Sequence, residues 1–234
     1  FAFRALASSP SMNPELLHFL HYVALLPYVL PALQTQLANQ LALANYKPST
    51  IAAMRAAPRM IFAPFKQRLL VSRDNVSFPP YTADSETVIP VAEDITLSAT
   101  GMVAWLTDLL ELESFPNNGR LLEIGIGTGY QASVIAEALK DLGIRVQIYG
   151  IEYNSDVAGK ALSTLSQLGY DNIILAPGNG RLGWVGDPAK KFHRILLTAA
   201  DWTPPSPLLA QLEVGGFLLM PMGPPKNGIQ ELWK

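Results

Sequence analysis

Three glycines with the spacing GxGxG, preceded by an acidic residue, form the first pattern in the sequence that could bind a ligand. The run LLEIGIGTGY covers residues 121–130 and places Glu123 ahead of Gly125, Gly127 and Gly129. Glycines at such a turn let backbone N–H groups approach a ligand closely. A dinucleotide site would instead have the spacing GxGxxG and hold a pyrophosphate, which the Glu123 carboxylate would repel. The pattern therefore favours a ligand with a cationic end.

A second acid, Glu152, ends the next predicted strand, 23 residues after Gly129. A carboxylate there is placed to accept hydrogen bonds from the two hydroxyls of a ribose. Together the two acids and the glycine turn predict S-adenosylmethionine, which carries an ammonium, a sulfonium and a ribose. Each feature also has a plainer interpretation, since glycine turns end many strands and Glu152 could be a solvated carboxylate. Tyr153 could lie against the adenine or simply pack on the protein.

The elements around this turn alternate regularly between strands and helices. After a predicted helix over 96–114, strands are expected at 120–125, 145–152, 172–177, 193–199 and 217–223, with helices at 130–143, 155–170 and 206–216, the last running into a turn. Strands that alternate with helices of this length indicate βαβ units and a parallel sheet. The sequence therefore predicts a Rossmann-like α/β fold, with a mostly parallel sheet and helices on both faces.

The residues before this region predict helices and then an irregular stretch. Residues 14–45 have a helical pattern that Pro27 and Pro31 should break or kink, and 49–62 suggests another short helix. Residues 63–94 are dotted with prolines, so loops and short strands are expected there. The apolar run 16–33 also contains two histidines, and we expect it to pack on protein rather than to span a membrane.

Composition places the chain among folded, globular proteins. It has 234 residues, 49% of them hydrophobic and 15% charged, and no cysteine. The lack of cysteine excludes disulfides, thiolate zinc sites and cysteine nucleophiles, and favours an intracellular protein. With three histidines, no metal site is expected. The chain begins at Phe1 with an acid-free stretch that could be the stub of an organellar presequence.

The charges are distributed unevenly along the chain. Up to Arg73 there are seven basic residues and one acid, Glu15, whereas the remainder carries 10 basic and 18 acidic residues. One interpretation is that the two parts attract each other within the fold. The other is a basic surface for nucleic acid or another acidic partner, although these charges are dispersed rather than clustered.

Several segments resemble the protein-L-isoaspartate O-methyltransferase family in order and spacing. They are AAMRAAPRMIFAPF, similar to the family's PRxxF segment, then TLSA at 96–99, LLEIGIGTGYQASVIAEAL, QLGYDNIILAPGNGRLGW, FHRILLTAA and LLAQLEVGGFLLMPMG. The resemblance covers about 37–234 and implies the S-adenosylmethionine-dependent methyltransferase fold. We divide this part into an acceptor-side portion, 37–118, and a cofactor-binding portion, 119–234. Residues 1–36 fall outside the resemblance and are interpreted as an N-terminal helical extension.

The resemblance implies roles for individual positions. Ser98 would be the hydroxyl at the acceptor site, Glu152 would hold the ribose, and the cofactor's methionine end would be lined by Glu123, Gly125, Gly127, Thr128 and Gly129. The family's GDG segment corresponds here to residues 178–180, so Asn179 stands where the family has aspartate, next to Gly180. Its amide oxygen could still accept from the adenine amine, but without the charge, which would weaken binding about tenfold.

Other positions depart from the family on the acceptor side. Thr100 replaces a proline, His193 stands where the family has aspartate, and 201–203 is atypical. The chain also stops at Lys234, before the family's C-terminal portion that completes the acceptor cleft. Ser98 itself could be only the N-cap of a helix, and His193 could be a base for a hydroxyl acceptor or a strand-end residue with no chemical role.

Three functional hypotheses follow. The first is a carboxyl O-methyltransferase that uses S-adenosylmethionine to modify isoaspartyl or related carboxylates in proteins or peptides. The second is a methyltransferase-like structural or assembly subunit of a larger complex, with residues 1–36 binding a protein partner. Such a subunit could be inactive, and the complex could be mitochondrial or contain nucleic acid. The third is an O-methyltransferase with a different acceptor. The cytoplasm is the expected compartment, with the mitochondrial matrix as the alternative.

Overall fold

The structure is a computed structural model that describes residues 35–63, 88–224 and 228–234. Its centre is a six-stranded sheet built from β3 (Gly119–Ile124), β4 (Val146–Glu152), β5 (Ile173–Pro177), β6 (Phe192–Leu197), β7 (Leu212–Met222) and β8 (Glu231–Trp233). The order across the sheet is β5-β4-β3-β6-β7-β8. All neighbouring pairs are parallel except β7 with β8. The predicted α/β class and mostly parallel sheet are therefore confirmed.

The helices of the described residues are α1 (35–43), α2 (Pro48–Ala56), α3 (Arg59–Phe62), α4 (Thr100–Leu109), α5 (Tyr130–Asp141), α6 (Ser155–Gln167) and α7 (Ser206–Ala210). Short 3₁₀ turns occur at Leu112–Ser114 and Gly180–Leu182. A separate antiparallel hairpin joins β1 (Ile89–Ala92) to β2 (Ile95–Leu97).

Both faces of the sheet are covered by apolar side chains. Because neighbouring strand residues point to opposite faces, Leu121 joins a large cluster with α2, α4 and α5, whereas Leu122 joins a smaller cluster that includes Leu208 of α7. Both leucines are fully buried. Continuous apolar strands of this kind are typical of parallel sheets that are covered on two sides.

The chain order within the sheet creates the crevice for a ligand. From β3 the chain moves outward to β4 and β5, then returns to place β6 on the other side of β3. In open α/β sheets, ligands bind beyond the carboxyl ends of the strands where the order reverses. That position here lies between the ends of β3 and β6.

Several predicted boundaries are wrong, each for a local reason. The helix expected over 49–62 is two helices, because Pro58 lies between α2 and α3 and proline cannot continue a helix. The helix expected over 96–114 begins only at Thr100, because Thr96 and Leu97 pair with β1.

The helix predicted over 206–216 is also wrong, since it ends at Ala210 and β7 begins at Leu212. The pairing of β7 with β6 is irregular between Leu212 and Phe217. Within that interval Gly215 has φ +78°, a conformation typical of a β-bulge. The glycines at 215 and 216, which predicted a turn, therefore form a bulge inside strand β7.

None of the helices in the described ranges is long and apolar enough to cross a membrane. Three predicted segments lie wholly or mostly outside the described residues: the apolar run 16–33, the N-terminal extension 1–36 up to residue 34, and residues 64–87 of the proline-dotted stretch.

Candidate active site

The glycine turn after β3 has a backbone that only glycine adopts easily. Gly125, Gly127 and Gly129 have φ values of +83°, +55° and +86°, all in the left-handed region that disfavours side chains. At Gly125 space is also limiting, since an added Cβ would lie 2.8 Å from Oγ1 of Thr198. The Thr198 hydroxyl donates to the Gly125 carbonyl at 2.6 Å. The turn is therefore held against the end of β6.

Glu152 fixes the middle of this turn. Its Oε2 accepts a hydrogen bond from the Gly127 N–H at 2.9 Å, and its Oε1 accepts one from the Asn154 N–H at 3.0 Å. The side chain is buried at the end of β4 and lines the cavity. Each carboxylate oxygen can accept a further hydrogen bond. The residue predicted to hold the ribose thus also holds the glycine turn.

Glu123 is the most unusual polar group in the described part of the protein. It is 0% exposed, and among the described residues neither carboxylate oxygen has a hydrogen-bond partner. Burial, reinforced by the negative charge of Glu152, raises the pKa of Glu123 well above its ordinary value. A buried carboxylate without a partner is costly. Because Glu123 lines the cavity, a cationic ligand there would supply the missing partner.

The residues predicted to lie near the adenine also line the cavity. Asn179 caps the 3₁₀ turn through Oδ1, which accepts from the Arg181 N–H at 3.0 Å. A Cβ on Gly180 would lie 2.2 Å from Cγ2 of Ile124, so this turn packs directly on β3. Tyr153 is 81% exposed and lines the cavity. Its ring is therefore free to contact a bound base.

Ser98, predicted to lie at the acceptor site, lines the same cavity. The N-cap of α4 is Ala99, which makes no side-chain capping bond. The alternative interpretation of Ser98 as the N-cap of this helix is therefore wrong. The buried Arg59 guanidinium holds the Ser98 carbonyl with bonds of 3.1 Å from Nε and 2.8 Å from Nη2. The PRxxF segment thus positions the loop that carries Ser98.

One cavity of about 750 Å³ connects the two sides, within the usual size range for small-molecule sites. Of the predicted site residues it is lined by Ser98, Glu123, Gly125, Gly127, Thr128, Glu152, Tyr153, Asn179 and Gly180. Gly129 does not line it. That glycine is the N-cap of α5, where an added Cβ would press on Leu165 at 3.0 Å.

His193 does not reach the cavity lining. Its Nδ1 accepts a hydrogen bond from the Arg120 backbone N–H at 3.2 Å, and its ring packs against Phe115 with centroids 5.9 Å apart. The structure therefore gives this histidine a packing role at the amino end of β3 and β6. Thr100 is buried at the start of α4.

Sequence reasoning gave no role to several residues that line or support the site. Tyr130 and Gln131 follow the third glycine and line the cavity. From the atypical loop, Asp201 forms an ion pair with Arg181 across the rim, and Trp202 is 63% exposed beside it. The signal available for Tyr130 and Gln131 was their position at the start of α5, next to a ligand-binding turn.

Comparison with known proteins agrees with this geometry. The family model for protein-L-isoaspartate (D-aspartate) O-methyltransferase matches residues 36–234. The chain belongs to this family. It is 36% identical over 197 residues to protein-L-isoaspartate O-methyltransferase 2 of Shewanella sediminis, covering 84% of this chain and 71% of that protein. It is 40% identical over 141 residues to protein-L-isoaspartate O-methyltransferase 1 of Syntrophobacter fumaroxidans, covering 60% and 61%.

Solved structures share the fold. A protein-L-isoaspartate O-methyltransferase matches with a TM-score of 0.66 at 22% identity, over 81% of this chain and 55% of that one. A putative family member from Plasmodium falciparum, solved with S-adenosyl-L-homocysteine, matches with a TM-score of 0.65 at 18% identity, over 84% and 86%. The family's fold is therefore present here. The chain spans about half the length of the first of these structures and about three fifths of the Syntrophobacter protein.

Proposed function

We propose that this protein is an S-adenosylmethionine-dependent carboxyl O-methyltransferase that acts on isoaspartyl or related carboxylates in proteins or peptides. The observation that carries the proposal is that the glycine turn, the unpartnered Glu123 and the acceptor-side Ser98 line one cavity. Relatives named for the same activity, at 33–40% identity, support it.

The donor set fits this cofactor. The unpartnered Glu123 carboxylate suits a cationic group, the positive-φ glycines leave room for backbone N–H groups to approach a ligand, and Glu152 keeps lone pairs for hydroxyl donors. We assign the methionine end to Glu123 and the glycine turn, the ribose to Glu152, and the adenine to Tyr153 and Asn179. When bound, S-adenosylmethionine supplies an electrophilic methyl group on its sulfonium.

The protein's own contribution is binding and orientation. A carboxylate acceptor is already ionised at neutral pH, with an ordinary pKa of about 3.9 for an aspartyl side chain, so no general base is needed. Ser98 can donate one hydrogen bond that orients the acceptor. Holding the acceptor oxygen in line with the donor supplies most of the acceleration.

The alternative hypotheses differ in how they fare. The comparisons give no support to an inactive assembly subunit. One observation favours a methyltransferase with a different acceptor: Asp201, in the loop that departs from the family pattern, forms an ion pair with Arg181 at the cavity. A partner for residues 1–36, and a cytoplasmic or mitochondrial location, stay predictions.

Two measurements test the proposal in sequence. Calorimetric titration with S-adenosylmethionine should show binding, and no heat at millimolar cofactor would exclude both enzymatic hypotheses. Incubation with labelled cofactor and an isoaspartyl peptide, beside its aspartyl counterpart, should then label only the isoaspartyl peptide. Ser98→Ala should lower this labelling while leaving cofactor binding unchanged. Label on a different acceptor class alone would favour the third hypothesis.

A further inference from the structure

Two buried polar atoms with no assigned task belong to residues that line the cavity. The Tyr130 hydroxyl and the Gln131 Oε1 belong to the first turn of α5, are buried, and have no hydrogen-bond partner among the described residues. Buried polar groups are nearly always hydrogen-bonded, so an unpartnered one in a cavity wall points to a ligand. Both residues line the cavity that also contains Ser98 and Glu123.

The unpartnered atoms divide by chemistry into donors and acceptors. The Thr107 hydroxyl donates to the Val103 carbonyl at 2.7 Å, so it must accept from Gln131 Nε2, which lies 2.9 Å away. This bond fixes the amide with Oε1 unpartnered. Gln131 Oε1 can only accept hydrogen bonds, and so can the Glu123 carboxylate once it is ionised, so both suit the cationic part of the methyl donor. A carboxylate needs donors, and the hydroxyls of Ser98 and Tyr130 can donate.

The PRxxF segment positions these two hydroxyl-bearing residues together. Arg59 binds the Ser98 carbonyl, and its charge also acts on the Tyr130 hydroxyl. Three residues further along, Phe62 packs against the Tyr130 ring with centroids 5.4 Å apart. One short helix, α3, thus contacts both Ser98 and Tyr130. The Tyr130 ring therefore packs on α3, while its hydroxyl has no partner among the described residues.

We propose that the Tyr130 hydroxyl is, with Ser98, a hydrogen-bond donor to the acceptor carboxylate, so that Tyr130 positions the acceptor. This inference rests on the proposed function and adds a second residue to its acceptor site. Burial raises the pKa of Tyr130 further than the Arg59 guanidinium lowers it. The hydroxyl therefore keeps its proton, and its ability to donate, throughout the pH range of an assay.

The test is Tyr130→Phe, which removes one oxygen and keeps the ring on Phe62. Because the hydroxyl has no partner within the described protein, we expect thermal stability to be unchanged or raised. A hydrogen bond made in both ground and transition states affects KM rather than kcat. We expect KM for an isoaspartyl peptide to rise tenfold or more, with kcat and the Kd of S-adenosylmethionine within twofold of wild type.

The matched control is Tyr170→Phe. Tyr170 is half-buried, its hydroxyl contacts Glu137 and Ser133, and it does not line the cavity. That variant should keep the wild-type KM. An unchanged KM for Tyr130→Phe would overturn the proposal, because the hydroxyl would then not contact the acceptor. A Kd for the cofactor raised by the same factor as KM would also overturn it, because the hydroxyl would then bind the cofactor.

A binding measurement separates this inference from the proposed function. The Kd of the isoaspartyl peptide is measured by calorimetry on the protein saturated with S-adenosylhomocysteine, where no transfer takes place. If wild type binds the peptide but does not methylate it, the proposed function fails, and a tenfold weaker Kd for Tyr130→Phe still supports the inference. If wild type does not bind the peptide, the inference fails as well.

Discussion

Replacing Glu123 by glutamine should make the cofactor-free protein more stable while weakening its hold on S-adenosylmethionine. The carboxylate is 0% exposed and without a partner among the described residues. Its folded pKa is raised above the ordinary value of 4.5, so the unfolded chain ionises this group more readily than the folded one. The stability that protonated Glu123 contributes is fully present below about pH 4.5. It is lost as the pH rises towards the pKa of Glu123 in the folded protein.

Glutamine does not titrate, so the variant escapes this loss. At pH 8 the free energy of unfolding of Glu123→Gln should exceed that of wild type by about 1.4 kcal/mol for each pH unit by which folding raises the pKa of Glu123. Any part of the pKa rise that lies above pH 8 adds nothing at that pH. The advantage should shrink towards pH 5. Urea unfolding at several pH values measures it, with the exposed Glu231→Gln as the control that should show no such trend.

Cofactor binding should change in the opposite direction. Hydrogen bonds to charged groups contribute about 1.5–3 kcal/mol, so losing the charge should raise the Kd of S-adenosylmethionine roughly 10- to 150-fold. Calorimetry on the same samples measures this. A Glu123→Gln protein that is less stable than wild type at pH 8, or that binds the cofactor equally well, would refute the argument that Glu123 awaits a cationic ligand.

Three further substitutions, the first with a control variant, test the residues assigned to the cofactor. Gly125→Ala should lower stability by about 1–3 kcal/mol and raise the Kd of the cofactor, because this position combines a φ of +83° with a contact at 2.8 Å from the added Cβ. The control Gly143→Ala, at a position with φ +72° and open space, should leave the Kd unchanged. Similar Kd values for the two variants would contradict the steric argument. Glu152→Ala should weaken cofactor binding and lower the melting temperature, since it leaves the Gly127 and Asn154 N–H groups without their acceptor; an unchanged Kd by calorimetry would show that the ribose assignment is wrong. Asn179→Asp should tighten binding up to about tenfold while keeping the cap on Arg181, and a weaker Kd would show that the amide nitrogen of Asn179 is the group that matters.

The sequence predicted the elements from β3 to β6 well, because their signals are local. The strands β3 to β6 are apolar runs that end in a glycine turn, an acid or a loop, and these features lie next to one another along the chain. Glu123 and Glu152 are separated by one βαβ unit. Parallel pairing of β3 with β4 brings their carboxyl ends together, so their proximity follows from the fold class.

The acceptor side was harder to predict because its contacts are distant in sequence. The bond from Arg59 to the Ser98 carbonyl joins residues 39 apart, and Phe62 contacts Tyr130 across 68 positions. The spacing of apolar residues along the sequence gives no information about contacts between residues so far apart. The PRxxF segment, residues 58–62, stands out in the sequence only through resemblance, whereas in the structure α3 contacts both Ser98 and Tyr130.

The contact of Glu152 with the glycine turn was also beyond sequence reasoning. Its carboxylate suggested a ribose acceptor, but nothing in the spacing shows that it accepts the Gly127 N–H. Similarly, the glycines at 215 and 216 suggested a turn after a helix. Only the pairing of β7 with β6 shows that they lie in a strand.

The most direct test of the central claim is methyl transfer to an isoaspartyl peptide by the purified protein. Mass spectrometry after incubation with S-adenosylmethionine should find one added methyl group on the isoaspartyl peptide, lost under mild base as expected for an ester, and none on the aspartyl peptide. Equal, background-level modification of both peptides by a protein that binds the cofactor would contradict the account.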